Sequence, residues 1–171
     1  MKILIQLFAL VILGLFVSCE SNPVASEADI MDIVVLSKTP GYQWYDIEVE
    51  NYQPDSNIVN QIKDKFDPAL DSFVLYVKPS CSCPGTQQQF PAIMKVFNSA
   101  GIPSTNYKIY SMSSEMTKHP FESIFKVNEL PSFFLMRSSN AIYSISDTFY
   151  LRQTTGNSKS LENFVLEALN K

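Results

Sequence analysis

Residues 73–77, Phe-Val-Leu-Tyr-Val, are five consecutive apolar side chains with no alternation. A strand with one wet face alternates with a period of two, so an unbroken run reads as a strand covered on both faces, as in the middle of an α/β sheet. Such a strand needs neighbours at both edges and a layer above and below it. Directly after it come Lys-Pro-Ser-Cys-Ser-Cys-Pro-Gly-Thr, 78–86, and then a helical pattern in which Phe90, Ile93, Met94 and Phe97 recur at helical spacing and Gly101 ends the run. Cys81 and Cys83 therefore lie at a strand-to-helix junction.

The remaining segments supply the layers. Asp55 or Ser56 caps a helix with Ile58, Val59, Ile62 and Phe66 on one face and Lys63, Asp64 and Lys65 in water. Upstream, 33–37 (Ile-Val-Val-Leu-Ser) and 44–50 are β-rich, the second alternating Trp44, Asp46 and Glu48 against Tyr45, Ile47 and Val49, and together they read as a hairpin or two edge strands. Downstream, 107–112 reads as a strand, 120–125 as a short helix, and 132–136 with 141–145 as a hairpin. Leu161, Phe164, Val165, Ala168 and Leu169 make one stripe of a last helix behind Ser160. From residue 55 the order is helix, strand, helix, strand, helix, strand, strand, helix, which predicts a mixed sheet with helices on both faces.

The N-terminus has a different character. Lys2 precedes an apolar run from Ile3 to Val17, short for a span that needs about 20 apolar residues, and then come Ser18, Cys19 and a polar stretch. This pattern resembles a bacterial lipobox, with 1–18 as signal peptide, Cys19 acylated, 19–30 as a lipid-anchored polar linker and 31–171 as the folded domain. An ordinary cleaved signal or a short membrane anchor is the alternative. The expected location is the bacterial cell envelope, on the periplasmic or other extracytoplasmic face, with the membrane reached through the lipid on Cys19. The net charge of −4 and the scattered basic residues give no support for nucleic-acid binding. Of three cysteines, only Cys81 and Cys83 would remain as thiols, too few for a disulfide framework, so they point to reactivity or metal binding.

Cys83 followed by Pro84 reads as an N-cap followed by the first helical position, where the missing proline N–H costs nothing. The first-turn amides and the positive end of the helix dipole favour a thiolate, lowering a cysteine pKa from about 8.5 into a range of about 3.5–7.5. Thr86, three residues on, can donate its hydroxyl to the sulfur, and Lys78 adds positive charge if it points that way. Cys83 is thus the expected nucleophile, the alternative being a small capping residue. Cys81 lacks such a helix and keeps a more ordinary pKa. It can resolve through a Cys81–Cys83 disulfide only if Ser82 bends the chain, and such a strained bond would be labile and suited to oxidation or isomerisation. Otherwise it is a bystander, and Cys83 resolves through a second molecule.

The order of elements, with a cysteine at the junction and Leu-Pro opening the penultimate strand, resembles the thioredoxin fold over residues 56–170. Cys-Pro-Gly-Thr at 83–86 stands where that family carries C-x-x-C, Pro91 matches its kink proline, Leu130-Pro131-Ser132 is similar to its cis-proline motif, and 157–165 to the start of its last helix. The resemblance implies a thioredoxin-like three-layer sandwich, a central mixed β-sheet flanked by helices. It implies thiol–disulfide exchange with protein or small-molecule thiols and disulfides, no cofactor, and a cis bond at Pro131 that sets Leu130 main-chain groups beside the sulfur, with Pro84 also bordering the substrate. The chain departs from the family at Thr86, in place of the second cysteine, at Ser82, in place of a tryptophan, and at Val77, in place of a buried acid. Two alternatives follow. One is a Cu(I)-handling chaperone of the same fold, with Cys81, Cys83 and His119 as ligands and Met112 and Met116 nearby. The other is a non-catalytic binding module.

Overall fold

In the computed structural model, described over residues 27–78, 83, 85–156 and 159–171, five strands form one mixed sheet in the order β1-β3-β2-β4-β5. The strands are β1 (Asp29–Ile30), β2 (Asp71–Val77), β3 (Tyr107–Ser111), β4 (Ser132–Arg137) and β5 (Asn140–Ser144). β2 is central, parallel to β3 with Phe73 opposite Tyr107, and antiparallel to β4 with Leu75 opposite Phe133. Its side chains divide as a doubly covered strand requires. Phe73, Leu75 and Val77 enter one apolar cluster, Val74 and Tyr76 another, and none is more than 3% exposed.

The first cluster is covered by helices α1 (Tyr45–Asn51), α2 (Ser56–Lys65), α3 (Phe90–Ala100), α4 (Ile145–Thr154) and α5 (Leu161–Leu169). α2 begins where expected, Asp55 accepting a hydrogen bond from the Asn57 amide at 2.8 Å. α3 ends on Gly101 in the left-handed conformation, φ 72°, and α5 buries the apolar stripe read from its sequence.

Four expectations are corrected. Residues 33–38 form a 3₁₀ helix rather than a strand, because Asp32 caps it by accepting from the Val34 amide at 2.9 Å, and only Leu36 of the run is buried. Residues 45–51 are α1 rather than a strand. Tyr45, Val49 and Tyr52 form the inward stripe at helical spacing while Ile47, which strand alternation would pair with them, is 61% exposed. Residues 120–125 make turns rather than a helix, with Phe121 O accepting from the amides of both Ile124 and Phe125. Finally, the second face of the sheet is not covered by a helix among the described residues. Phe121, Phe125 and Leu130 of the segment between β3 and β4 pack over Val74, Tyr76, Tyr110 and Phe134, the Phe125 and Phe134 rings stacking at 4.1 Å.

Two further elements were not anticipated. α4 starts behind Ser144, whose hydroxyl accepts from the Asp147 amide at 3.2 Å. β1 pairs Ile30 with Tyr110 at the sheet edge, so ordered structure reaches into the segment expected to be linker. The expected signal peptide, Cys19, Cys81, Ser82 and Pro84 lie outside the described residues.

Candidate active site

Where β2 ends, the chain leaves the sheet at Lys78, whose carbonyl accepts a hydrogen bond from the Tyr42 hydroxyl at 3.3 Å. Regular structure resumes at Gly85. The Cys83 carbonyl accepts from the Gln87 amide at 3.1 Å, which places this residue at the cap of the helix as expected. The first turn, Gly85–Gln89, is a wide π turn leading into α3. Pro91 gives the physical reason: it has no N–H to return to Gln87 O, and its ring crowds that carbonyl, so the backbone widens ahead of it.

Thr86 is fully buried, and its Oγ1 lies 3.3 Å from the Cys83 sulfur. Cys83 is disulfide-bonded, to a cysteine outside the described residues. A disulfide sulfur carries no proton, so the hydroxyl is the donor in this pair. After reduction the same hydroxyl can stabilise a thiolate.

Opposite the helix start, the Leu130–Pro131 bond is cis. The bend is held from both sides: Ser132 Oγ donates to Glu129 O at 2.6 Å, and the Phe133 amide donates to the buried Ser146 hydroxyl at 2.9 Å. Gly85 permits the close approach. A β-carbon there would stand 3.2 Å from Pro131 Cδ and 3.4 Å from the Tyr150 hydroxyl oxygen. Cys83, Gly85, Gln89, Leu130, Tyr52 and Tyr150 all line one open cleft of about 600 Å³, which α4 and the start of α5 close on the far side.

Burial pushes the hydroxyl pKa of Tyr150 up, so this group is protonated at neutral pH. Under the cleft, Glu162 is 2% exposed and accepts from the Tyr52 hydroxyl at 2.5 Å and from the Asp55 amide at 3.0 Å. Burial alone would raise its carboxyl, but these hydrogen bonds, with one from Ser160, outweigh it and hold the group below its ordinary value. Glu162 is therefore a structural anion that locks the end of α1 to α5.

His119 lies elsewhere. It belongs to the second aromatic layer and lines a separate pocket with Glu27, Lys118 and Glu122. Its Nδ1 stands 3.0 Å from the Tyr76 hydroxyl and accepts from the Phe121 amide at 3.3 Å, which leaves its ring proton on Nε2. Burial lowers its pKa. Met112 is fully buried in that layer, while Met116 is 90% exposed. The structure thus brings together Cys83, Thr86, Leu130 and Pro131 and leaves His119 apart. Among the described residues no cluster of three or more His, Cys, Asp or Glu side chains could hold a metal ion, and no helix is long and apolar enough to cross a membrane.

Sequence reasoning missed Gly85, Gln89, Tyr150, Tyr52 and Glu162. Gly85 carried a signal in standing two residues after the cysteine. Tyr150 carried none, because α4 itself was not read. No protein-family model, curated protein or solved structure matches the chain.

Proposed function

We propose that the protein is a thioredoxin-like thiol–disulfide oxidoreductase, tethered to an extracytoplasmic membrane face, with Cys83 as the attacking residue and Cys81 resolving. The observation that carries this reading is the convergence on Gly85: the helix that starts at Cys83 meets the cis Leu130–Pro131 bond there, with the buried Thr86 hydroxyl against the sulfur. Two independent chain segments are thereby brought to one side of a sulfur already in a disulfide. The sheet order and its mixture of parallel and antiparallel pairs fit the same fold.

In the reducing direction, the Cys83 thiolate attacks one sulfur of a substrate disulfide. A new S–S bond joins Cys83 to that sulfur, and the other substrate sulfur leaves as a thiolate and takes a proton from solvent. The Cys81 thiolate then attacks Cys83, releasing the second substrate sulfur and leaving a Cys81–Cys83 disulfide, so two electrons pass to the substrate. The reverse sequence oxidises a substrate dithiol. The cis bend offers Leu130 main-chain groups for pairing with an extended substrate.

The tether rests on the sequence of residues 1–26. If Cys19 bears the lipid, seven residues, 20–26, separate it from the described domain, a reach of about 28 Å over the eight steps to Glu27 when extended. Cys19→Ala is expected to move the protein from the membrane to the soluble fraction of expressing bacteria.

The exchange reading is tested with Cys83→Ser and Cys81→Ser in a model disulfide assay. Cys83→Ser is expected to lose exchange, and Cys81→Ser to accumulate a mixed disulfide on Cys83. A parent protein no faster than free cysteine would reject the reading and leave a binding module.

A further inference from the structure

Three of the large apolar side chains that the described residues leave exposed, Ile30, Val34 and Val35, fall within one short segment at the edge of the sheet. Single exposed apolar side chains are ordinary on a protein surface, whereas a group of them marks a place where something else binds. Ile30 is 69% exposed and Val34 79%, and both line an open groove of about 380 Å³ with Tyr107 and Ile109 of β3. The local fold puts them outside. β1 ends at Ile30, and Asp32 then caps the 3₁₀ helix of residues 33–38, which buries Leu36 and leaves Val34 and Val35 in the open. Asp32 also lines the groove, but its carboxylate is turned back to accept from the Val34 amide, while the exposed Lys108 stands on the rim.

The chain itself indicates what this edge meets. Ile30 is three residues from Glu27, about 10 Å when extended, and only seven residues, 20–26, join Glu27 to the proposed lipid on Cys19. A bilayer is thus always within reach of the groove, and even weak insertion is strengthened as an intramolecular event. The groove is also placed to leave the cleft free. β3 runs parallel to β2 with Tyr107 opposite Phe73 and Ser111 opposite Val77, so the groove lies towards the start of both strands, whereas Cys83 follows the end of β2. A second copy of the chain would find little to pair with, because β1 is a two-residue edge strand.

We propose that Ile30, Val34 and Val35 form a lipid-facing patch that inserts into the surface of the bilayer carrying the Cys19 anchor, with Lys108 reaching the headgroup phosphates and the Cys83 cleft turned to the aqueous side. This rests on the tether reading of Cys19 and is independent of the exchange chemistry.

The test uses the full chain as expressing bacteria process it, reconstituted in vesicles of phosphatidylethanolamine and phosphatidylglycerol doped with a phospholipid bearing a diazirine in its acyl chain. After irradiation, mass spectrometry of peptides maps the lipid-labelled residues. Label is expected in residues 29–38, and Ile30→Ser with Val34→Ser is expected to lower it by about tenfold, the worth of keeping one such side chain from water. Both side chains are exposed, so the double variant should fold. Leu151, 65% exposed on α4 beside β4 and across the sheet from β1, is the internal reference and should stay unlabelled. No label in 29–38, as would follow if a second copy covered the patch, would overturn the proposal. So would label that the double variant keeps, or label as strong at Leu151. The mass of the peptide containing Cys19 tests the tether reading separately: a cysteine without lipid rejects that reading, and labelling of 29–38 in the same vesicles still decides the patch.

Discussion

The ring of Pro131 rests against the backbone of Gly85: a β-carbon on Gly85 would lie 3.2 Å from Pro131 Cδ, closer than nearly all real contacts of that kind. The proline ring is fixed to its own backbone and cannot swing aside as a long side chain would. Space, rather than backbone conformation, is what this position demands, and it sets the distance between the helix carrying Cys83 and the cis bend.

Gly85→Ala is therefore expected to act on the site more than on the fold. Alanine gains about 0.5–1 kcal/mol of helix propensity over glycine, which offsets part of the steric cost, so the melting temperature should move by only a few degrees. Exchange with a model disulfide should slow on the order of tenfold, since a displacement near 1 Å can cost about 100-fold and a smaller shift is needed here. Parallel melting curves and exchange rates check this.

The Thr86 hydroxyl lies 3.3 Å from the Cys83 sulfur with no access to water. Donation to a thiolate favours the charged form, so removing it must raise the thiol pKa. Thr86→Val, which keeps the volume, is expected to raise it by about 1–2 units, the equivalent of roughly 1.5–3 kcal/mol for a hydrogen bond to a charged group. Thr86→Ser should stay near the parent. The pH dependence of iodoacetamide alkylation of both variants is the measurement.

Glu162 links α5 to Tyr52 and Asp55 from a position 2% exposed. Its folded pKa lies below the ordinary 4.5, so on acidification the unfolded chain takes the proton first. The stabilisation is complete above about 4.5 and is lost as pH falls towards the folded value. Tyr52→Phe is expected to cost about 1.5–3 kcal/mol at pH 7, and the gap to the parent should narrow in acid. Urea titrations at neutral and acidic pH test both statements.

His119 couples stability to pH with the same sign over a higher window. Burial lowers its folded pKa from 6.5, Glu122 opposing in part, so between the folded value and 6.5 the unfolded chain holds more protons. Stability should therefore decline as pH falls below about 6.5, because a protonated Nδ1 can no longer accept from Tyr76 and the Phe121 amide. His119→Gln is expected to be less stable overall but to lose this slope, as read from unfolding midpoints at several pH values.

Much of the sheet could be read from sequence because burial wrote it plainly: the unbroken run at 73–77 became the central strand, and the stripes of α2, α3 and α5 fell where their spacing put them. The misread segments are those where two periods coincide or none exists. Tyr45 and Val49, four apart, satisfy both helix and strand, and only the exposure of Ile47 decides between them. α4 has only a short stripe, Ile145 and Phe149 being buried while Leu151, two residues on, is 65% exposed, so Ser144 and Asp147 were its clearest signal. The same divide runs through the site. Cys83, Thr86 and Pro131 stood in a motif, whereas Gln89 and Tyr150 meet only because α4 folds back against the start of α3, a contact with no local signature.

The central claim is that the backbone amides beginning at Cys83, with the Thr86 hydroxyl, hold its sulfur ionised at neutral pH once the disulfide is reduced. Alkylation of the Cys19→Ser, Cys81→Ser protein across pH measures this directly. The expected outcome is a single titration with a midpoint at or below about 7.5; a midpoint at or above the ordinary thiol value of about 8.5 would contradict it.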